Sequence, residues 1–132
     1  MSSNVPTCAI LIPMNLGWCD VCLQVKNAAN ARTFYEDLGF RRVEGDDTEG
    51  WAVMTNGDQR LGLFEPQFQS EPISLNFRGG DVLSVAEAIA EKGYTLESGP
   101  KQGKNGGTSA TLRDPDGHLI FLDCALGETK RE

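Results

Sequence analysis

From residue 19 the chain alternates. Val21, Leu23 and Val25 are apolar, whereas Asp20, Cys22 and Gln24 between them are polar or small. A period of two places these sets on opposite faces of a β-strand, one packed and one turned to a wetter space. Asn27 then offers a helix N-cap, and Ala28 to Leu38 carries helix formers with Ala31, Phe34, Tyr35 and Leu38 on one stripe. The pattern predicts a helix whose stripe packs on the Val21, Leu23, Val25 face. Gly39 supplies the stop, because glycine enters the left-handed conformation without a Cβ penalty. Phe40 to Glu44, Trp51 to Thr55 and Arg60 to Glu65 read as three further strands. The last two are joined by Asn56-Gly57-Asp58, a hairpin turn signal.

The plan then recurs. Ile73 to Arg78 reads as a strand and Gly79-Gly80-Asp81 as a corner with an N-cap. Val82, Val85, Ala86 and Ile89 form the buried stripe of a second helix, Gly93 stops it, and Tyr94 begins the next strand. Asp20 and Ser74, Asn27 and Asp81, Gly39 and Gly93, Phe40 and Tyr94 each lie 54 residues apart, which indicates an internal duplication. Lys101 to Gly107 reads as a polar, glycine-rich loop. Thr108 to Arg113 and Leu119 to Asp123 form a hairpin about Asp114-Pro115-Asp116-Gly117. The expected architecture is α+β, two tandem βαβββ modules whose strands curve as an open, barrel-like sheet around a cavity. Module one covers about 15–66 and module two about 73–124, in a single domain of 15–124. Residues 1–14 are an N-terminal extension, in which Ala9 to Ile12 suggests an edge strand, and 125–132 are a charged tail.

Charge and cysteine content narrow the classes. The net charge is −7 and no basic run is longer than the pair Arg41-Arg42, so the footprint for nucleic acid or an anionic membrane is missing. Four cysteines are few for a disulfide scaffold of 132 residues, and the apolar run at Cys8 to Ile12 is too short for a signal core or a membrane span. The expected setting is the cytoplasm, with reduced thiols. Cys19 and Cys22 fall on opposite faces of their strand and do not converge on one metal. His118 is the only histidine. It follows a turn, and a Ser-His-Asp type of chemistry has no support.

Three features together resemble the vicinal oxygen chelate superfamily, which includes glyoxalase I, extradiol dioxygenases, fosfomycin-resistance thiol transferases and bleomycin-resistance proteins. They are Phe34-Tyr35-Glu36-Asp37-Leu38-Gly39-Phe40, the duplicated βαβββ plan, and Asp114-Pro115-Asp116-Gly117 before the last strand. The resemblance implies a homodimer with a small-molecule cavity between modules. In the enzymes it also implies a divalent metal held by His or Glu. Carried onto this chain, those ligand positions fall on Asp20, Gly62, Ser74 and Phe121. None is His or Glu, so the expected cofactor set is none.

Alternation and strand order gather a candidate ligand-binding set: Asp20, Cys22, Gln24, Trp51, Phe64, Ser74, Asn76, Arg78, Phe121 and Asp123. Glu65 is expected to face away from them. Aromatic rings beside polar groups suit an organic ligand held by stacking and hydrogen bonds, and an acidic cavity edge suits a cation. The leading reading is a metal-independent binder of a small organic molecule. The alternatives are a glyoxalase-like lyase, isomerase or dioxygenase using nonstandard ligands such as Asp20, Cys22, Asp123 or Glu65, and an interaction module without a small ligand.

Overall fold

The computed structural model describes residues 14–104 and 106–125. Apart from Met14 and Ala125, the expected extension and tail lie outside the described residues. The first half comprises β1 (Gly17–Gln24), α1 (Ala28–Asp37), β2 (Arg41–Asp46), β3 (Trp51–Asn56) and β4 (Gln59–Phe64). The second comprises β5 (Ile73–Gly79), α2 (Val82–Glu91), β6 (Ser98–Gln102), β7 (Thr108–Arg113) and β8 (Leu119–Cys124). All eight strands join one sheet in the order β2-β3-β4-β1-β5-β8-β7-β6. The seam is β1 against β5, antiparallel, with Asp20 opposite Asn76 and Cys22 opposite Ser74. On either side each of these strands pairs in parallel with the last strand of its own half. The fold is the expected α+β arrangement of two βαβββ units in one open, curled sheet.

The duplication is kept most faithfully by the helices. The span of α2 is that of α1 displaced by the predicted 54 residues. Asn27 and Asp81 cap them by accepting from the backbone N–H groups of Asn30 and Ser84, and Gly39 and Gly93 follow them at φ of 99° and 94°. The strands drift from the repeat. Tyr94 was expected to open a strand but is exposed, and β6 begins only at Ser98. Its start is set by its single neighbour: Ser98 pairs with Thr111, and a bulge then leads to Lys101 opposite Ser109. Lys101 and Gln102, expected in a loop, therefore belong to that edge strand.

Each helix covers a separate apolar cluster on the convex side of the sheet. Under α2, Val82, Val85 and Ile89 pack with Ala110 and Leu122, as the stripe predicts. Under α1, Ala31 and Tyr35 pack against Ala52, Met54 and Leu63. The predicted α1 stripe was too wide. Phe34 and Leu38 are 58% and 57% exposed. The fully buried Ala28 brings the start of the helix close to the sheet and turns the Ala28, Ala31, Tyr35 line inward. Phe34 is left to pack edge-on against Tyr35, with ring centroids 5.2 Å apart. Among the described residues no helix is long and apolar enough to cross a membrane.

Candidate functional site

With both helices on the convex face, the opposite face of the sheet bounds an open cavity of about 480 Å³. Alternation along β1 and β5 brings Asp20, Cys22, Ser74, Asn76 and Arg78 to its floor. Trp51 from β3 and Phe64 from β4 form one wall, and Phe121 and Asp123 from β8 form the other. Gln24, placed in this set by the same alternation, does not line the cavity. The 66–72 connection between the halves folds back over the end of β1, and Gln24 Nε2 donates to the Gln69 carbonyl at 2.7 Å.

The floor is an ionic network. Asp20 is 1% exposed, and its oxygens accept from Arg60 Nε and, at 3.0 Å, from Arg78 Nη1. Arg78 also grips Glu44, with Nη1 donating to Oε1 at 3.1 Å and Nη2 to Oε2 at 3.0 Å. Arg60 Nη1 and Nη2 have no hydrogen-bond acceptor, but both guanidinium carbons lie 5.7 Å from the Trp18 ring centroid. The ring therefore supplies an attraction that acceptors do not. This corrects the expectation that Asp20 is a carboxylate waiting for a ligand: two arginines already hold it.

Beside the network the Cys22 thiol is 3% exposed. Burial first, and then the neighbouring Asp20 charge, push its pKa up from 9.0 to about 12. It is a protonated, inert lining group at neutral pH. Cys19 is also raised, again chiefly by burial.

The aromatic wall is well defined. The Trp51 and Phe64 rings stack with centroids 5.7 Å apart and planes 7° from parallel. Phe64 lies across Gly62: a β-carbon at 62 would sit 2.6 Å from the Phe64 ring and 3.0 Å from Cys22 Sγ. Glycine is required there for the ring to pack down.

Several lining residues were missing from the sequence-based set. Arg60, which lies beneath the floor as the partner of Asp20 rather than in the lining, is two residues before Gly62 on the same face, so alternation carried the signal for it. Glu44 was hidden because it reaches Arg78 across the curl of the sheet, from a strand with a bulge between Arg42 and Glu44. Phe68, Gln69, Ser70 and Glu71 come from the connection, which has no periodicity. Gln69 Nε2 pins that segment by donating to the carbonyls of Cys22 at 3.0 Å and Glu71 at 2.8 Å. Arg113 ties the Glu71 carboxylate at 3.1 Å and holds its pKa below the ordinary value.

The residues present do not fit the divalent metal that the resemblance implies. Asp20 is spent on two guanidiniums, and the space above Gly62 is filled by a ring. Phe121 has no donor. Glu65 lies outside the cavity lining and accepts from the Ala28 N–H at 2.8 Å, at the start of α1. Among the described residues no group of three or more His, Cys, Asp or Glu side chains is arranged to hold a metal ion. His118 sits on the terminal turn, its Nδ1 2.8 Å from Asp114 Oδ2.

Comparison with known proteins gives the same architecture. The chain is similar to a Legionella pneumophila structure described as an NAD-dependent benzaldehyde dehydrogenase, at 23% identity and a TM-score of 0.67, covering 81% of this chain and 98% of that one. It is similar to a Bacillus halodurans hypothetical protein, BH1468, at 18% identity and 0.61, covering 86% and 93%. A Vibrio splendidus glyoxalase/bleomycin resistance protein/dioxygenase superfamily member matches at 17% and 0.59, covering 81% and 97%. At these identities the likeness concerns the fold. No protein of curated function matches the sequence. The model of one family matches residues 16–122, most of the chain: this protein belongs to the Glyoxalase/Bleomycin resistance protein/Dioxygenase superfamily.

Proposed function

We propose that the protein binds a small, flat organic molecule in this cavity without a metal, in the manner of a bleomycin-resistance protein rather than a lyase or dioxygenase. The observation that carries the reading is the Phe64 ring laid over Gly62 and stacked on Trp51. An aromatic surface fills the position that a metal-binding side chain would use. Parallel rings at the wall of a cavity of this volume offer a planar ligand apolar contact, while Ser74 and Asn76 supply hydrogen-bonding groups at the floor. The reading extends to a homodimer in the cytoplasm. The thiols of Cys19 and Cys22, which form no disulfide, suit a reducing compartment, and Phe34 and Leu38 give α1 apolar surface for a second copy.

The test is native mass spectrometry of the full chain, alone and after incubation with zinc, nickel, manganese or iron(II), followed by titration with 2-naphthamide. The expected result is a metal-free dimer that takes up the aromatic amide, with Trp51→Ala losing that uptake. Stoichiometric metal, or no uptake by the wild-type chain, overturns the reading.

A further inference from the structure

We infer that the ligand is a planar cation, an aromatic ring carrying an amidinium- or ammonium-like group, and that Glu44 is its anchor. The inference rests on the metal-free aromatic cavity proposed above and adds the chemical class of its occupant.

Hydrogen-bonding capacity is the first argument. Arg78 is the only cationic side chain among the described lining residues. Its Nη1 serves Asp20 and Glu44, and its Nη2 serves Glu44. Three of its five N–H groups are thereby spent inside the network. The acceptors are not. A carboxylate offers about four lone-pair sites, and the bidentate pair with Arg78 uses one on each Glu44 oxygen. The Glu44 side chain is 27% exposed, against 2% for Asp20, so it has a free approach from the cavity. Asn76, on the same floor, carries a buried Oδ1 with no donor. A ligand that brings N–H groups completes this site, whereas one that brings only acceptors does not.

Charge is the second argument. Asp20, Glu44, Glu71 and Asp123 line the cavity with Arg78. Among these lining groups carboxylates outnumber guanidiniums, and Arg113, which ties Glu71 from outside the cavity, is shared with Glu97. The third argument is independent of both: the Trp51 and Phe64 rings present negative π-faces, which attract a flat cation and are indifferent to a flat anion at best. Acidic side chains alone would be a solvated surface. Here they share one cavity with stacked rings and an unmatched amide oxygen.

Three probes of nearly equal shape separate the possibilities: 2-naphthamidine as cation, 2-naphthamide as neutral form and 2-naphthoate as anion. Calorimetric titration of the full chain should rank them in that order, with the amidine about tenfold or more tighter than the amide and its advantage shrinking in high salt. Glu44→Gln should remove most of the amidine's advantage over the amide, whereas Trp51→Ala should weaken both probes, with circular dichroism confirming the fold of each variant. Equal binding of all three probes, or tightest binding of naphthoate, overturns the cation inference while leaving the aromatic cavity standing. An amidine preference that survives in Glu44→Gln removes Glu44 as the anchor. Failure of all three to bind overturns both this inference and the functional reading beneath it.

Discussion

The Phe64 ring packs so closely over Gly62 that residue 62 has no room for a side chain. The relationship fixes the aromatic wall at a position onto which the resemblance carries one of the family's metal ligands. Gly62→Ala should push the Phe64 ring off its Trp51 neighbour, weaken binding of planar ligands and cost about 1–3 kcal/mol by overpacking. Gly62→Glu should not confer metal uptake, since Asp20 remains held by Arg60 and Arg78. Denaturant unfolding and metal titration check the two statements. Stoichiometric zinc in Gly62→Glu would show that the ring yields more readily than its contacts indicate.

Asp20 is a structural carboxylate. Its removal leaves the Arg60 guanidinium, with 1% of its side chain exposed, buried without its ionic partner. Breaking one side of such a pair costs about 3–5 kcal/mol, far above the effect of a surface ion pair. Asp20→Ala should therefore lower the denaturation midpoint sharply, and the double variant Asp20→Ala, Arg60→Met should recover much of the loss. If the single variant matches wild type within about 0.5 kcal/mol, the network does not matter to stability.

The Cys22 thiol gives the stability curve an alkaline limb. Burial and the nearby Asp20 charge raise its pKa to about 12, against an ordinary 9.0. Below pH 9 both folded and unfolded chains carry the protonated thiol, and its contribution is fully present. Between 9 and 12 the unfolded chain ionises while the folded chain does not, so stability falls as pH rises. Cys19 acts in the same direction. Unfolding midpoints from pH 8 to 10.5 should decline less steeply for Cys22→Ala than for wild type. Parallel curves would place the thiol in a far wetter site than its 3% exposure indicates.

Much of this was legible in the chain before any coordinates. Period-two alternation on β1 and β5 depends only on backbone geometry, so it assigned Asp20, Cys22, Ser74, Asn76 and Arg78 to one face. Caps and stops at a constant offset located both helices. Pairings made by the curl of the sheet were not legible: Glu44 and Arg78 are 34 residues apart and lie on strands that are not neighbours. Nor was the segment from Phe68 to Glu71, whose place is set by the Gln69 amide and by Arg113 rather than by any pattern of its own. Gln24 was misassigned for the same reason, because that segment takes its side chain.

The seam between β1 and β5 carries a further consequence. At the repeat offset, Asp20 corresponds to Ser74, Cys22 to Asn76 and Gln24 to Arg78. The backbone of the two halves retains a pseudo-dyad, but no cavity-facing pair across it is chemically alike. A carboxylate answers a hydroxyl and a thiol answers an amide, while the counterpart of Arg78, Gln24, lies outside the cavity lining altogether. Turning an occupant end for end would exchange every one of these partners, so the cavity has one preferred polarity. It also has no mirror plane, and a chiral guest will meet it as a stereoselective host.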